Sequence, residues 1–331
     1  MSTIHYLGRF DFSTPGEAAY EWSGSGFDAH FQGTGIAAKF TTEASTGYLE
    51  VVIDDGTPKL VTYAGGTDVT VSLASGLTAG THHVQLFRRT EADMGIERFL
   101  GFTVTGGALV ASPPPYSRKI EFIGDSITAG YGDEGANRNC KFSYGTENDY
   151  LTYGALTARA LSAERHSNAW SGIGMYRDNA GITKDQMPVL YERTLPSEPG
   201  SQWNFSQWIP DVVVINLGTN DYAKSDDPSQ PYTTAYLAFL EKLRSHYPRA
   251  EVFCAMGPLW VKDLSQWQDA LEAIVKARND RGDNRVHFVS FDLEDCDTDI
   301  SKCGCDWHPN LEEHQKMADA LVPAIRAVTG W

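Results

Sequence analysis

Along residues 1–110 apolar and polar positions alternate in short runs. "YLEVVID" (48–54) alternates and then meets Asp55-Gly56, a pair that favours the tight turn of a hairpin. "PKLVTYA", "DVTVSLA", "HHVQLFRR" and "RFLGFTVTG" follow, parted by Gly- and Thr-rich turns and with no helical period between them. Many short strands at this spacing predict a β-sandwich or jelly roll over 1–110. "SPPPYS" (112–117) then stops the ladder, since three prolines cannot donate to it, and 111–117 reads as a stiff linker.

From residue 118 the rhythm changes. "KIEFIG", "RHSNAW", "DVVVINLG", "AEVFCAMG" and "RVHFVSF" are short apolar runs of buried-strand type. Between and after them lie stretches of helical character: "YLTYGALTARALS", "AYLAFLEKLRSHY", "WQDALEAIVKARND" and "LEEHQKMADALVPAIRAV". Asn310 can cap the last of these, with Glu313 completing a capping box, and Pro323 either kinks it or ends it. Five strands alternating with helices predict an α/β domain over 118–331, a five-stranded parallel sheet covered on both faces. No internal repeat or low-complexity tract interrupts either half.

A length of 331 residues is long for one core and comfortable for two. The formal net charge of -16, with no Lys/Arg-rich block, opposes a nucleic-acid partner and is compatible with a neutral, hydroxyl-rich ligand such as a sugar. No apolar run is long enough to span a bilayer, so no membrane partner is expected. The start, "MSTIHYLGRFDF", lacks a basic stretch followed by an apolar one. The expectation is an exported protein whose leader is absent from this sequence, with a cytoplasmic protein as the alternative. Five cysteines leave at least one thiol unpaired in a monomer, the expected oligomeric state.

In an open parallel sheet, ligands gather beyond the carboxyl ends of the strands. The residues there are "GDSITAG" with Ser126, "SGIGMYRD" with Gly172, "GTND" with Asn220, "GPLW" ending at Trp260, and the loop leading to "CDWHPN" with His308. These groups fit acyl transfer. A serine is a poor nucleophile until a base takes its proton, and His308 is the candidate base for Ser126. A tetrahedral oxyanion needs donors already aimed at it; the N–H of Ser126, the N–H of Gly172 and the side-chain amide of Asn220 supply three. Each piece alone is an ordinary turn or loop residue. Their order, one at the end of each successive strand, is what carries the assignment.

The segments "GDSIT", "SGIG", "GTND" and "DWHP" resemble the blocks of the SGNH (GDSL-type) hydrolases, and the resemblance covers about 118–331. It maps the four named family residues onto Ser126, Gly172, Asn220 and His308, and it implies a three-layer αβα, flavodoxin-like catalytic domain. With "IHYLGRFDF" and "GSGFDAHFQGTG" in a preceding β-domain, nearly the whole chain is similar to carbohydrate esterase family 2. That similarity implies a serine esterase that removes acetyl groups from sugars of plant polysaccharides, often from the primary 6-hydroxyl. One position departs from the family pattern. The aspartate expected three residues before the histidine is Cys305, and the nearest acid, Asp306, is two before it. Asp306 is favoured as the third catalytic group. A backbone carbonyl in a Ser-His dyad and Asp299 are the other two options for orienting the ring.

Of the eight tryptophans only Trp22 precedes residue 118. Sugar C–H faces stack on aromatic planes, and Trp307, Tyr176 and Trp260, each next to a strand end or to His308, are the candidate substrate contacts. Trp170 reads as core; Trp203 and Trp208 edge the cleft or pack beneath it. Cys296, Cys303, Cys305 and His308 match no familiar zinc spacing, and no His-Glu-x-x-His occurs, so no metal and no cofactor are expected. In an exported protein a disulfide from Cys296 to Cys303 or Cys305 would staple the loop that presents His308; in a reducing compartment these are thiols. Among the other histidines, His314 reads as a solvated residue in the first turn of the last helix, His287 as structural, and His82 and His83 as part of the β-domain. An acetylated saccharide is the expected partner. An SGNH lipase, thioesterase or arylesterase, and a non-catalytic carbohydrate-binding protein, are the competing readings.

Overall fold

The structure, a computed structural model, describes residues 3–113, 116–259, 261, 264–292 and 296–331. Two compact units divide the chain. The first comprises Met1–Pro115 and Arg193–Trp203, the second Tyr116–Glu192 and Asn204–Trp331.

The first unit is an antiparallel sheet of β1 (Ile4–Leu7), β2 (Ala18–Tyr20), β3 (Gly26–Ile53), β4 (Lys59–Arg88), β5 (Glu97–Thr105) and β6 (Ala108–Val110). The four short strands expected between 48 and 88 are in fact the end of β3 and one continuous β4. A series of register shifts bends this pair, since each extra residue on one side of a ladder kinks and twists it. The bending lets β4 lie on both sides of β3: Leu49 pairs with Val61 and Arg88, and Glu50 with Leu60 and Phe87. The hairpin turn sits one residue earlier than the Asp-Gly pair implied. Asp54 and Asp55 take the two left-handed positions, and Gly56 N–H closes the turn on Ile53 O at 2.9 Å. Inward residues form one aromatic-rich core including Phe10, Tyr20, Phe27, Phe40 and Phe99, and a smaller one around Phe31 and Ile36.

The segment Arg193–Trp203 groups with this unit because its polar groups are satisfied there. Arg193 O accepts from Arg9 Nη1 and Trp22 Nε1, Ser197 N–H donates to Glu21 Oε2, and the Arg9 guanidinium lies over the Trp203 ring. The pattern along the chain places all of 118–331 in one domain, and this segment departs from it. Nothing in the local pattern distinguishes this segment, since its partners are more than 150 residues away.

The second unit is built on a fully parallel sheet: β7 (Arg118–Gly124), β8 (Ala163–Ala169), β9 (Val212–Asn216), β10 (Glu251–Met256) and β11 (Val286–Ser290), in spatial order β8-β7-β9-β10-β11. The helices are α1 (Ser126–Ala129), α2 (Tyr153–Ala160), α3 (Met187–Leu190), α4 (Ser229–His246), α5 (Leu264–Asp280) and α6 (Leu311–Thr329). Strand alternation assigns the two faces. Ile120, Phe122, Val212, Val214, Phe253 and Ala255 meet Tyr153 of α2 and Met317, Leu321 and Ile325 of α6. On the other face Cys254 meets Tyr236 of α4, which packs with α5. Both faces are covered, which is why the strands are apolar throughout. Pro323 lies inside α6, which continues to Thr329, and Asn310 Oδ1 caps it by accepting from Glu313 N–H at 2.9 Å. Glu313 turns its carboxylate to Lys316.

Strand order 2-1-3-4-5, counted within this sheet, has its topological switch between β7 and β9. Loops leaving the carboxyl ends of these two strands diverge there, and the crevice they open is where such sheets bind ligands.

Candidate active site

Ser126 leaves β7 as the first residue of the one-turn α1. Asp125 caps that turn, its Oδ1 accepting from Ile127 N–H at 3.1 Å, an interaction worth about 1 kcal/mol in helices generally. Gly124 is required at the bend, because a Cβ there would run into the Thr128 side chain.

His308 approaches from the loop after β11. Its Nε2 lies 2.8 Å from Ser126 Oγ, and its Nδ1 lies 3.0 Å from the backbone carbonyl of Asp306. A carbonyl only accepts, so Nδ1 carries the proton and Nε2 is the free lone pair facing the serine. Burial lowers the imidazole pKa from 6.5 to about 4, against the raising influence of the Asp306 and Cys305 backbone and the Asp306 charge. The ring is therefore neutral at physiological pH, as a general base must be.

The Asp306 carboxylate was expected on this ring, and the structure corrects that placement. Its Oδ1 accepts from Lys141 Nζ at 2.8 Å and its Oδ2 from Phe142 N–H at 3.0 Å, which holds its pKa below the usual carboxylate value. Asp306 and Trp307 are both left-handed, at φ 48° and 71°. Two consecutive non-glycine residues in that region are strained, and they turn the Asp306 carbonyl, rather than its side chain, toward Nδ1. The geometry is held from several sides. Cys305 is disulfide-bonded to Cys140, Cys305 N–H donates to Gly132 O, and Asp306 N–H donates to Cys140 O. Asp299 is occupied elsewhere, capping a short turn through Ser301 N–H and Oγ. The second disulfide joins Cys296 to Cys303, one of the two pairings expected for an exported chain; the other, to Cys305, is not formed because Cys305 is bonded to Cys140, and Cys254 is a buried thiol whose pKa burial pushes up to about 12.

Gly172 and Asn220 reach the same cleft, a cavity of about 540 Å³ lined by Ser126, Tyr131, Gly172, Asn220, Trp307 and His308 among others. Gly172 has φ 78°, a left-handed conformation that glycine adopts without steric cost. Among the described residues its N–H and that of Ser126 meet no acceptor. Asn220 Nδ2 is aimed by donation to Ile173 O at 2.9 Å and to Asp125 Oδ2 at 3.2 Å. Trp307 is 48% exposed at the cleft, with the Arg138 guanidinium carbon 4.0 Å from its ring centroid. Tyr176 is not brought here; it lines a separate depression with Gln186, Val189 and Phe239. Trp260 lies outside the described residues.

Two supporting residues carry little signal of their role in the sequence. Tyr131 lies against the His308 ring, centroids 4.3 Å apart, and is itself stacked on Phe142 at 3.9 Å. Asp221, next to Asn220, accepts from the N–H groups of Met175, Tyr176 and Arg177 and so pins the loop that carries Gly172; burial raises its pKa to about 6. Only the adjacency in "GTND" hinted at Asp221, and nothing local marks Tyr131. His314, expected in solvent, is buried, and its Nδ1 accepts from Tyr153 N–H at the start of α2. Trp208 stacks on His166 and donates to Glu164, so it packs beneath rather than edging a cleft.

A serine and a neutral imidazole in hydrogen-bond contact at the switch point of this sheet are the working parts of a serine acylhydrolase. Residues 122–316 match the GDSL-like lipase/acylhydrolase family, and residues 6–114 match the carbohydrate esterase 2 N-terminal family. The chain is 41% identical over 329 residues to the cellulase/esterase CelE of Acetivibrio thermocellus, which takes in 99% of the chain and 40% of that protein's length. It is 28% identical over 344 residues to an acetylxylan esterase / glucomannan deacetylase of Cellvibrio japonicus, 99% of the chain and 91% of that protein. The structure of a family two carbohydrate esterase from Clostridium thermocellum in complex with cellohexaose matches with a TM-score of 0.93 and 40% identity over 99% of both chains. The chain belongs to family two of the carbohydrate esterases.

Proposed function

We propose that this protein hydrolyses O-acetyl esters of saccharides through an acetyl-enzyme on Ser126. The observation that carries this reading is the relay from Ser126 Oγ to His308 Nε2 and from Nδ1 to Asp306 O, at 2.8 and 3.0 Å. His308 takes the Ser126 proton as Oγ attacks the acetyl carbon. The oxyanion accepts from the N–H groups of Ser126 and Gly172, already aimed and without another acceptor among the described residues, and from Asn220 Nδ2 once it turns one hydrogen away from its longer bond to Asp125 Oδ2. The imidazolium keeps its Nδ1–H on the Asp306 carbonyl while Nε2–H protonates the departing sugar oxygen. Water then repeats the sequence to release acetate. Trp307 offers its exposed ring to a sugar face. The polysaccharide is of xylan, mannan or glucan type, with the acetyl group on a primary 6-hydroxyl preferred, and two of this chain's relatives are named as acetylxylan esterases and glucomannan deacetylases. Two disulfides support an exported protein.

A second reading, a lipase, thioesterase or arylesterase, draws on Leu259 and Val261 in the cleft wall. A series of p-nitrophenyl esters separates the two. The acetyl-esterase reading expects kcat/KM to fall steeply from acetate through butyrate to octanoate, and a rise with chain length overturns it.

A further inference from the structure

On β3, Asp28 and His30 are two residues apart, so strand periodicity puts them on one face. The β3–β4 register sets His83 opposite His30 and Gln85 opposite Asp28. The His30 and His83 rings stack, with centroids 4.4 Å apart and planes 11° from parallel. One ligand atom from each of Asp28, His30 and His83 lies within 4.8 Å of the other two. His83 Nε2 is 2.9 Å from Asp28 Oδ2, and its Nδ1 is 3.3 Å from Asp55 Oδ1. Gln85 Nε2 donates to Asp28 Oδ2 at 3.0 Å and steadies that carboxylate. His30 Nδ1 is shielded from solvent and has no hydrogen-bond partner among the described residues.

We propose that Asp28, His30 and His83 form a binding site for a divalent transition-metal ion of the zinc type, with Asp55 orienting His83. Three features go beyond what an ion pair needs. Two imidazoles and one carboxylate are a donor set suited to zinc. A metal-bound histidine characteristically gives its other ring N–H to a carboxylate, the position Asp55 holds. His30 Nδ1 has no hydrogen-bond partner among the described residues, and its ring lies flat on a histidine already engaged by Asp28. Bond lengths to zinc put neighbouring ligand atoms roughly 3.4 Å apart, so side-chain rotations of about an ångström close the cluster. His82 is excluded from the set. The period of two sends it to the opposite face, where its ring lies tilted against Phe31 and is held by Asp54 Oδ2 and Thr78 O. An ion held by residues of both β3 and β4 would staple the longest strand pair of the unit, and three protein ligands leave room for water on the metal.

The test is calorimetric titration of the chelator-treated full chain with Zn2+, alongside thermal unfolding. One saturable site per chain with micromolar or tighter affinity, and a higher Tm with Zn2+, is expected. His30→Ala and His83→Ala should each weaken binding by about 100-fold or more, Asp55→Asn by about 10-fold or more, and His82→Ala should leave it unchanged. Circular dichroism and the cooperative thermal transition of each metal-free variant check that it is folded, and His30→Asn replaces any variant that is not. No saturable Zn2+ binding, or equal binding by the wild type and the folded His30 variants, overturns the proposal.

Discussion

Cys305 occupies the position where a catalytic aspartate was expected, and two consequences follow for single residues. The sulfur is committed to Cys140, and the acid next to it is turned away from the imidazole, so a main-chain carbonyl orients His308. A carbonyl provides the tautomer control of a carboxylate without its charge. Asp306→Asn should therefore lower kcat/KM by less than about 10-fold, whereas loss of an orienting carboxylate costs about 10⁴ in kcat. Its acid limb should stay at or below about pH 4, since the Asp306 charge raises the His308 pKa and activity is lost as that ring protonates. A loss of three orders of magnitude in a folded variant would return the role to the carboxylate. Ser126, Gly172 and Asn220 were legible because each lies a few residues beyond a strand end, and His308 because it stands just ahead of the cap of the last helix, each with its chemistry in its own side chain or backbone. The choice of the carbonyl over the carboxylate, both open in the sequence, was not, because it depends on two left-handed φ angles that no residue type there demands.

At the level of elements, the loop from β11 to α6 works as a clamp. Two disulfides, the Asp306 contacts to Lys141 and Phe142, and the Asn310 cap fix both ends of the stretch that presents His308. Helix α6 is tied to α2 through His314, whose pKa burial lowers to about 3. The unfolded chain protonates this residue near 6.5, so between pH 6.5 and 3 it takes up a proton that the folded chain refuses. The stability contributed is intact above pH 6.5 and falls as pH drops through that window. Asp221, raised to about 6, acts in the opposite sense between pH 3.8 and 6, so the comparison must be between variant and wild type. His314→Asn keeps an acceptor near Tyr153 N–H and cannot titrate. Its urea midpoint should fall less than that of the wild type between pH 7 and 4.5; equal falls would contradict the assignment. His314 read as solvated because acids surround it in sequence, and only the packing of α2 on α6 buries it. The β-domain showed the same limit. Alternation announced strands, but the bulges that join short runs into β4 carry no such signal.

For the molecule as a whole, the change from period-two runs to alternating strands and helices revealed two architectures, and the Pro-rich stretch placed the break near residue 115. The transfer of Arg193–Trp203 to the first unit was hidden, because hydrogen bonds to Arg9, Trp22 and Glu21 leave no trace in local periodicity. The net charge of -16 fits a neutral sugar substrate better than a polyanion. The proposed activity is deacetylation of saccharides by Ser126 and His308. Its most direct test is NMR-followed acetate release from acetylated manno-, gluco- and xylo-oligosaccharides by the wild type and Ser126→Ala. Loss of acetyl signals with the wild type, the 6-O signal first, and a rate at least about 10⁴-fold lower for the variant are expected. Acetate release by Ser126→Ala at a rate near that of the wild type would contradict it.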